Sequence, residues 1–113
     1  MDYQGRRFRP VVNSPHGQVS AGTLFQYRQA GDLLTGEYAG GGIRHGQLLG
    51  LVSAEGTLEF CYHHVTNEGE FRSGVCSSTP EILPDGRLRL HERWGWTFGG
   101  EEEGESVVEE VLE

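Results

Sequence analysis

The chain has 113 residues, 35% of them hydrophobic and 18 of them glycine, with a net charge of −8. That is one domain of ordinary size with a modest core. It has no apolar run near the ~20 residues of a membrane-spanning helix, and no lysine on which a Schiff base could form. The acidity sits at one end: seven of the 17 acids lie in residues 101–113, while the remainder sets nine Arg against ten acids. No basic stripe is left for a nucleic-acid backbone.

Arg6, Arg7 and Arg9 are not followed by the apolar stretch of a signal peptide, so the expectation is a cytoplasmic protein with Cys61 and Cys76 reduced. Residues 5–12 read as a short strand with Phe8, Pro10 and Val12 on one parity. Pro10 cannot donate to a ladder, which predicts an edge or a bulge there. Residues 13–17 form a turn cluster. Further strands are predicted over residues 23–29, 33–39 and 43–53. Gly46 and Gly50 inside the last of these mark a bulge, a bend or a close backbone approach.

Residues 57–66 follow, with Leu58, Phe60, Tyr62 and His64 on one face. Residues 70–78 make the next strand, Thr79 and Pro80 introduce residues 81–83, and Pro84-Asp85-Gly86 is a strong turn signal. From Arg87 to Phe98 the residues alternate. Leu88, Leu90, Glu92, Trp94, Trp96 and Phe98 share one parity, and Arg87, Arg89, His91 and Arg93 share the other. Side chains on a strand alternate between faces, so this is a long strand with an apolar face interrupted only by Glu92. Residues 99–104 read as a polar loop. Residues 106–112 could start a short helix on the Ser106/Glu109 capping box, but three valines favour a strand.

About eight strands with short links and no convincing helix predict an all-β antiparallel up-and-down meander that closes into a small barrel or half-barrel. Closure would remove the long edges of an open meander. An exposed edge such as residues 5–12 would instead suit a homodimer.

Several stretches carry a resemblance: Phe25-Gln-Tyr-Arg-Gln, residues 33–41, Gly46-Gln-Leu-Leu-Gly-Leu-Val, Tyr62-His-His, residues 78–83 and Leu90-His-Glu-Arg-Trp-Gly-Trp-Thr. Together they resemble a family of short bacterial proteins often labelled N-acetylglutamate synthase, which implies an acetyl-CoA-dependent enzyme. Such enzymes commonly hold the cofactor on a Gln/Arg-x-x-Gly-x-Gly/Ala loop at a helix N-terminus. Residues 28–33 begin in that form but place Leu33 where Gly or Ala belongs. Separately, Leu34-Thr-Gly-Glu-Tyr38 resembles a segment of calycin-like, avidin-type barrels.

Glu92 is the leading functional candidate, an acid set among Leu, Trp and Phe that can anchor a ligand or move a proton if burial raises its pKa. The structural alternative is an ion pair with an arginine such as Arg28. The reading that follows is a binding module without catalysis or cofactor. It would hold a small apolar or aromatic molecule against Trp94, Trp96, Tyr62 and Tyr27, with Glu92, His64 and Arg28 as polar contacts. The alternatives are an acid–base enzyme using Glu92 and His64, and a structural barrel filled by its own side chains. Cys61, His63 and Cys76, with His45 or His91, are a weaker set of metal ligands, since zinc spacing is absent. A Cys61–Cys76 disulfide is geometrically conceivable.

Overall fold

The computed structural model describes residues 1–12 and 22–112. The turn expected over residues 13–17 lies outside the described residues. Eight strands follow one another: β1 (Arg7–Val12), β2 (Leu24–Ala30), β3 (Leu33–Gly40), β4 (Ile43–Val52), β5 (Leu58–Thr66), β6 (Phe71–Ile82), β7 (Leu88–Phe98) and β8 (Glu103–Glu110). Each pairs antiparallel with the next, and β1 pairs with β8 to close the barrel. No helix among the described residues is long and apolar enough to cross a membrane.

The hairpins follow from their turn residues. The loops ending at Gly56, Gly69 and Gly86 share one construction: the glycine, at φ of 87°, 84° and 90°, donates its N–H to the carbonyl three residues back. This is the short hairpin loop with a left-handed residue, where glycine carries no Cβ penalty.

The lumen is built from inward-facing aromatic residues, each paired in register with a glycine on the neighbouring strand. Tyr27 faces Gly36, Tyr38 faces Gly46, Phe60 faces Gly50, Tyr62 faces Gly74 and Trp94 faces Gly104. The glycines supply the space. A Cβ on Gly46 would stand 2.3 Å from Tyr38 Cζ, and one on Gly74 would stand 2.4 Å from Tyr62 Oη. Small barrels need such alternation of large and small residues to fit rings into a narrow interior. The end near the β4–β5 and β6–β7 turns is sealed by Tyr3, Leu34, Leu58 and Leu88, all nearly fully buried. Tyr3 donates its hydroxyl to the Gly56 carbonyl.

Several expectations are corrected. The strand expected to stop at Ser78 runs on through Pro80 to Ile82. Pairing with β5 has already ended at Ser78, so the missing Pro80 N–H breaks no ladder bond on that side. The loop expected over residues 99–104 is shorter, because β8 begins at Glu103. The strand favoured over a helix for residues 106–112 is found, as part of β8. Alternation in β7 fails at its end: Ser73 pairs with Phe98 but Gly74 with Trp96, so a bulge at Thr97 turns Phe98 outward, where it is 62% exposed. Pro10 lies at a register shift against β8. Closure pairs β1 on both sides and so removes the open edge on which a homodimer was expected.

Candidate functional site

Glu92 occupies the middle of the inner wall of β7. Register places Ser78 of β6 and Ser106 of β8 directly beside it, one on each flank. All three point inward because they share the buried parity of their strands. Ser78 donates its hydroxyl to one carboxylate oxygen at 3.1 Å, and Ser106 donates to the other at 3.2 Å. No Arg or His forms an ion pair with Glu92 among the described residues. Burial therefore dominates and pushes its pKa from an ordinary 4.5 up to about 7, against the smaller lowering by the two serines.

Tyr27 of β2 shares this space. Its hydroxyl is buried and has no hydrogen-bond partner among the described residues. Burial raises its pKa well above the usual phenol value, and the Glu92 charge adds to the rise. Burial and Glu92 likewise push up the Cys76 thiol. A buried hydroxyl without a partner costs about 1–3 kcal/mol, so it marks a position where a bound molecule would restore a bond.

Exposure rises along β7 from Leu90, fully buried, through Glu92 to the half-buried Trp94 and Trp96. Among the described residues, the inner wall is thus less covered toward the end of the barrel that carries the tryptophans. There Trp94 and Trp96 lie 5.4 Å apart between ring centroids, and Tyr62 and His64 each meet Trp96 edge to face at 5.8 Å. His64 is bonded through Nδ1 to the Tyr38 hydroxyl at 2.9 Å. Burial, helped by Arg72 and His63, lowers its pKa to about 4, so the ring is neutral near pH 7.

Family comparison agrees with this architecture. A model described as avidin-like protein matches residues 1–111. The chain belongs to the avidin-like family. A search of the curated proteins and a search of the solved structures found no match. An avidin-like barrel accounts for the closed eight-strand meander.

The avidin-like frame brings Glu92, Trp94, Trp96, Tyr62, Tyr27 and His64 onto one inner surface. It does not bring Arg28 there. Arg28 follows the inward Tyr27, so it points outward, where it is 54% exposed and paired with Glu37 at 3.2 Å. The Arg28–Glu92 ion pair is thereby excluded. Glu92 and His64 have separate hydrogen-bond partners, Ser78 and Ser106 for the carboxylate and the Tyr38 hydroxyl for the imidazole.

The proposed metal set also comes apart. Cys61 pairs with Val75 and Cys76 with Phe60, so the two thiols leave opposite faces of the wall, Cys61 exposed and Cys76 buried. This separates them for a disulfide as well. His63 lies outside against Gln47, His45 beside Glu37 and His91 beside Glu81. Residues 28–33, which begin like an acetyl-CoA loop, are the end of β2, the tight turn at Gly31 and Asp32 and the start of β3, with a strand and not a helix after the turn.

Ser78, Ser106 and Tyr38 were missed from sequence. Ser78 and Ser106 could have been found by parity: Ser78 is in step with Cys76, and Ser106 with the inward Val108. Polar residues on a core face ask for a partner.

Proposed function

We propose that this avidin-like barrel binds a small organic molecule in its lumen and does not transform it. The body of the ligand lies against Trp94, Trp96 and Tyr62, and its polar head reaches Glu92 and Tyr27. The observation that carries this reading is a buried Tyr27 hydroxyl without a partner among the described residues, on the same inner face of the barrel as a carboxylate that none of their cations neutralises. A barrel filled only for stability has no use for either, since unsatisfied polar groups weaken a core. The half-buried tryptophans at the less covered end give such a molecule an apolar approach.

The test is native mass spectrometry of the purified protein, followed by tryptophan fluorescence titration with biotin as the first probe, chosen for the family's name, and then with a library of small aromatic compounds. Binding should quench or shift the emission of Trp94 and Trp96. Tyr27→Phe should weaken binding by about tenfold, the loss of one buried hydrogen bond, while leaving the free protein at least as stable. A bare mass together with unmoved fluorescence across the library would end this reading.

A further inference from the structure

The barrel buries two carboxylates on its inner side and treats them differently. Glu110, 7% exposed, is met by the Arg6 guanidinium at 2.7 Å and by the Leu88 amide at 3.0 Å. Glu92, 9% exposed, receives only two neutral hydroxyls. The same chain therefore neutralises an interior acid at the sealed end and leaves one without a counter-charge toward the less covered end. Arg72 on β6, which faces His64 electrostatically, has its guanidinium held by Glu70 at 3.0 Å.

What lies next to Glu92 is aromatic. Trp94 follows it on the same inner face of β7, and Trp96 and Tyr62 continue that surface. An ionised carboxylate, an oxygen atom free to accept at Tyr27, and a wall of electron-rich rings all favour one class of guest. A protonated amine donates N–H bonds to carboxylate and phenol oxygen, and its cationic head is attracted to ring faces. An anionic head would place two like charges together in a desolvated space, which such a site rejects.

We infer that the lumen selects an organic ammonium ion, with its nitrogen at Glu92 and Tyr27 and its carbon body against Trp94, Trp96 and Tyr62. This rests on the lumen-binding function proposed above and narrows it to a charge class. The bound ammonium serves Glu92 as Arg6 serves Glu110.

Three probes of one shape separate charge from fit: benzylamine, benzyl alcohol and benzoate. They are titrated by tryptophan fluorescence and calorimetry at about pH 8, where Glu92 is ionised and benzylamine is still a cation. Benzylamine should bind at least about tenfold more tightly than benzyl alcohol, and benzoate should not bind. Glu92→Gln should erase the preference for the amine, whereas Arg28→Ala, on the outer wall, should leave it intact. Equal binding of amine and alcohol, or an amine preference that survives Glu92→Gln, overturns the ammonium assignment while leaving lumen binding standing. Silence from all three probes, with a neutral or anionic molecule found by native mass spectrometry, also overturns it without touching lumen binding. Silence from all three with a bare mass overturns both.

Discussion

Replacing Glu92 by Gln should stabilise the ligand-free protein, by an amount that grows as pH rises from about 4.5 to about 7 and is full in alkaline solution. The folded-state pKa of Glu92 is about 7 against an ordinary 4.5. Its raised value means that the folded barrel prefers the protonated acid. The corresponding stability is fully present below the ordinary value and is lost as pH rises through about 7. The difference corresponds to about 3 kcal/mol at alkaline pH. Gln is permanently neutral and nearly isosteric, so the variant escapes that loss, less whatever the amide gives up at Ser78 and Ser106. A net gain of about 2 kcal/mol, or roughly 8 °C in melting temperature for a domain of this size, is expected near pH 8. Near pH 4 the two proteins should melt together. Urea unfolding of both proteins across the pH range reads the effect directly. A Glu92→Gln variant less stable than its parent at pH 8 would refute the reasoning, because it would show the carboxylate to be neutralised in the folded state.

Four other expectations can be checked with the same preparations. Gly46→Ala and Gly74→Ala should each lower the urea midpoint by about 1–3 kcal/mol of overpacking, because the added Cβ meets the Tyr38 and Tyr62 side chains. A midpoint within error of the parent would show that the rings move aside freely. His64, with its pKa lowered to about 4, should keep neutral-ring NMR shifts down to about pH 5. Its contribution to stability is present above the ordinary histidine value and lost as pH falls through about 4. Tyr38→Phe removes its hydroxyl partner and should raise that titration or lower stability by about 1 kcal/mol; a variant unchanged in both would sink the bond. Amine binding should weaken as pH falls below about 7, because Glu92 protonates. Tyr27 on β2, Tyr62 on β5 and Cys76 on β6 face the same space, and burial raises all three, so none titrates in that window. Affinity that is flat from pH 8 to about 5 would exclude Glu92 as the anchor.

The legible part of this fold was the part written in alternation. Eight strands and the inward set from Leu88 to Trp96 follow from period-two patterning, since the closed barrel buries one face and leaves the other wet. Alternation failed at Phe98, where a bulge adds a residue to β7 without changing the sequence pattern. Arg28 was misplaced although parity was available: Tyr27 beside it was already assigned inward, so Arg28 had to face out. Cys61 and Cys76 were placed together by their symmetry about the 67–69 turn. A one-residue difference in parity sends them to opposite faces, and that depends on register, which turn geometry sets. The pairing of aromatic residues with glycines could not be read from one strand alone, because each pair joins two strands.

The two interior carboxylates give the sharpest separation between a barrel built to hold something and one that is only filled. Glu110→Gln discards the charge that faces Arg6 and weakens the acceptor for the Leu88 amide. Arg6 is 32% exposed, so the freed guanidinium turns toward water, and the loss is about 1–2 kcal/mol. Glu92→Gln makes the same chemical change with nearly the same loss of exposure, yet it is expected to stabilise. If both substitutions destabilise near pH 8, each acid is a satisfied structural group and the lumen is simply packed. If their signs are opposite, the chain retains at Glu92 an acid that weakens its own empty fold. A residue that lowers stability while the means of neutralising it stand elsewhere in the same barrel is explained by what it does when the barrel is occupied.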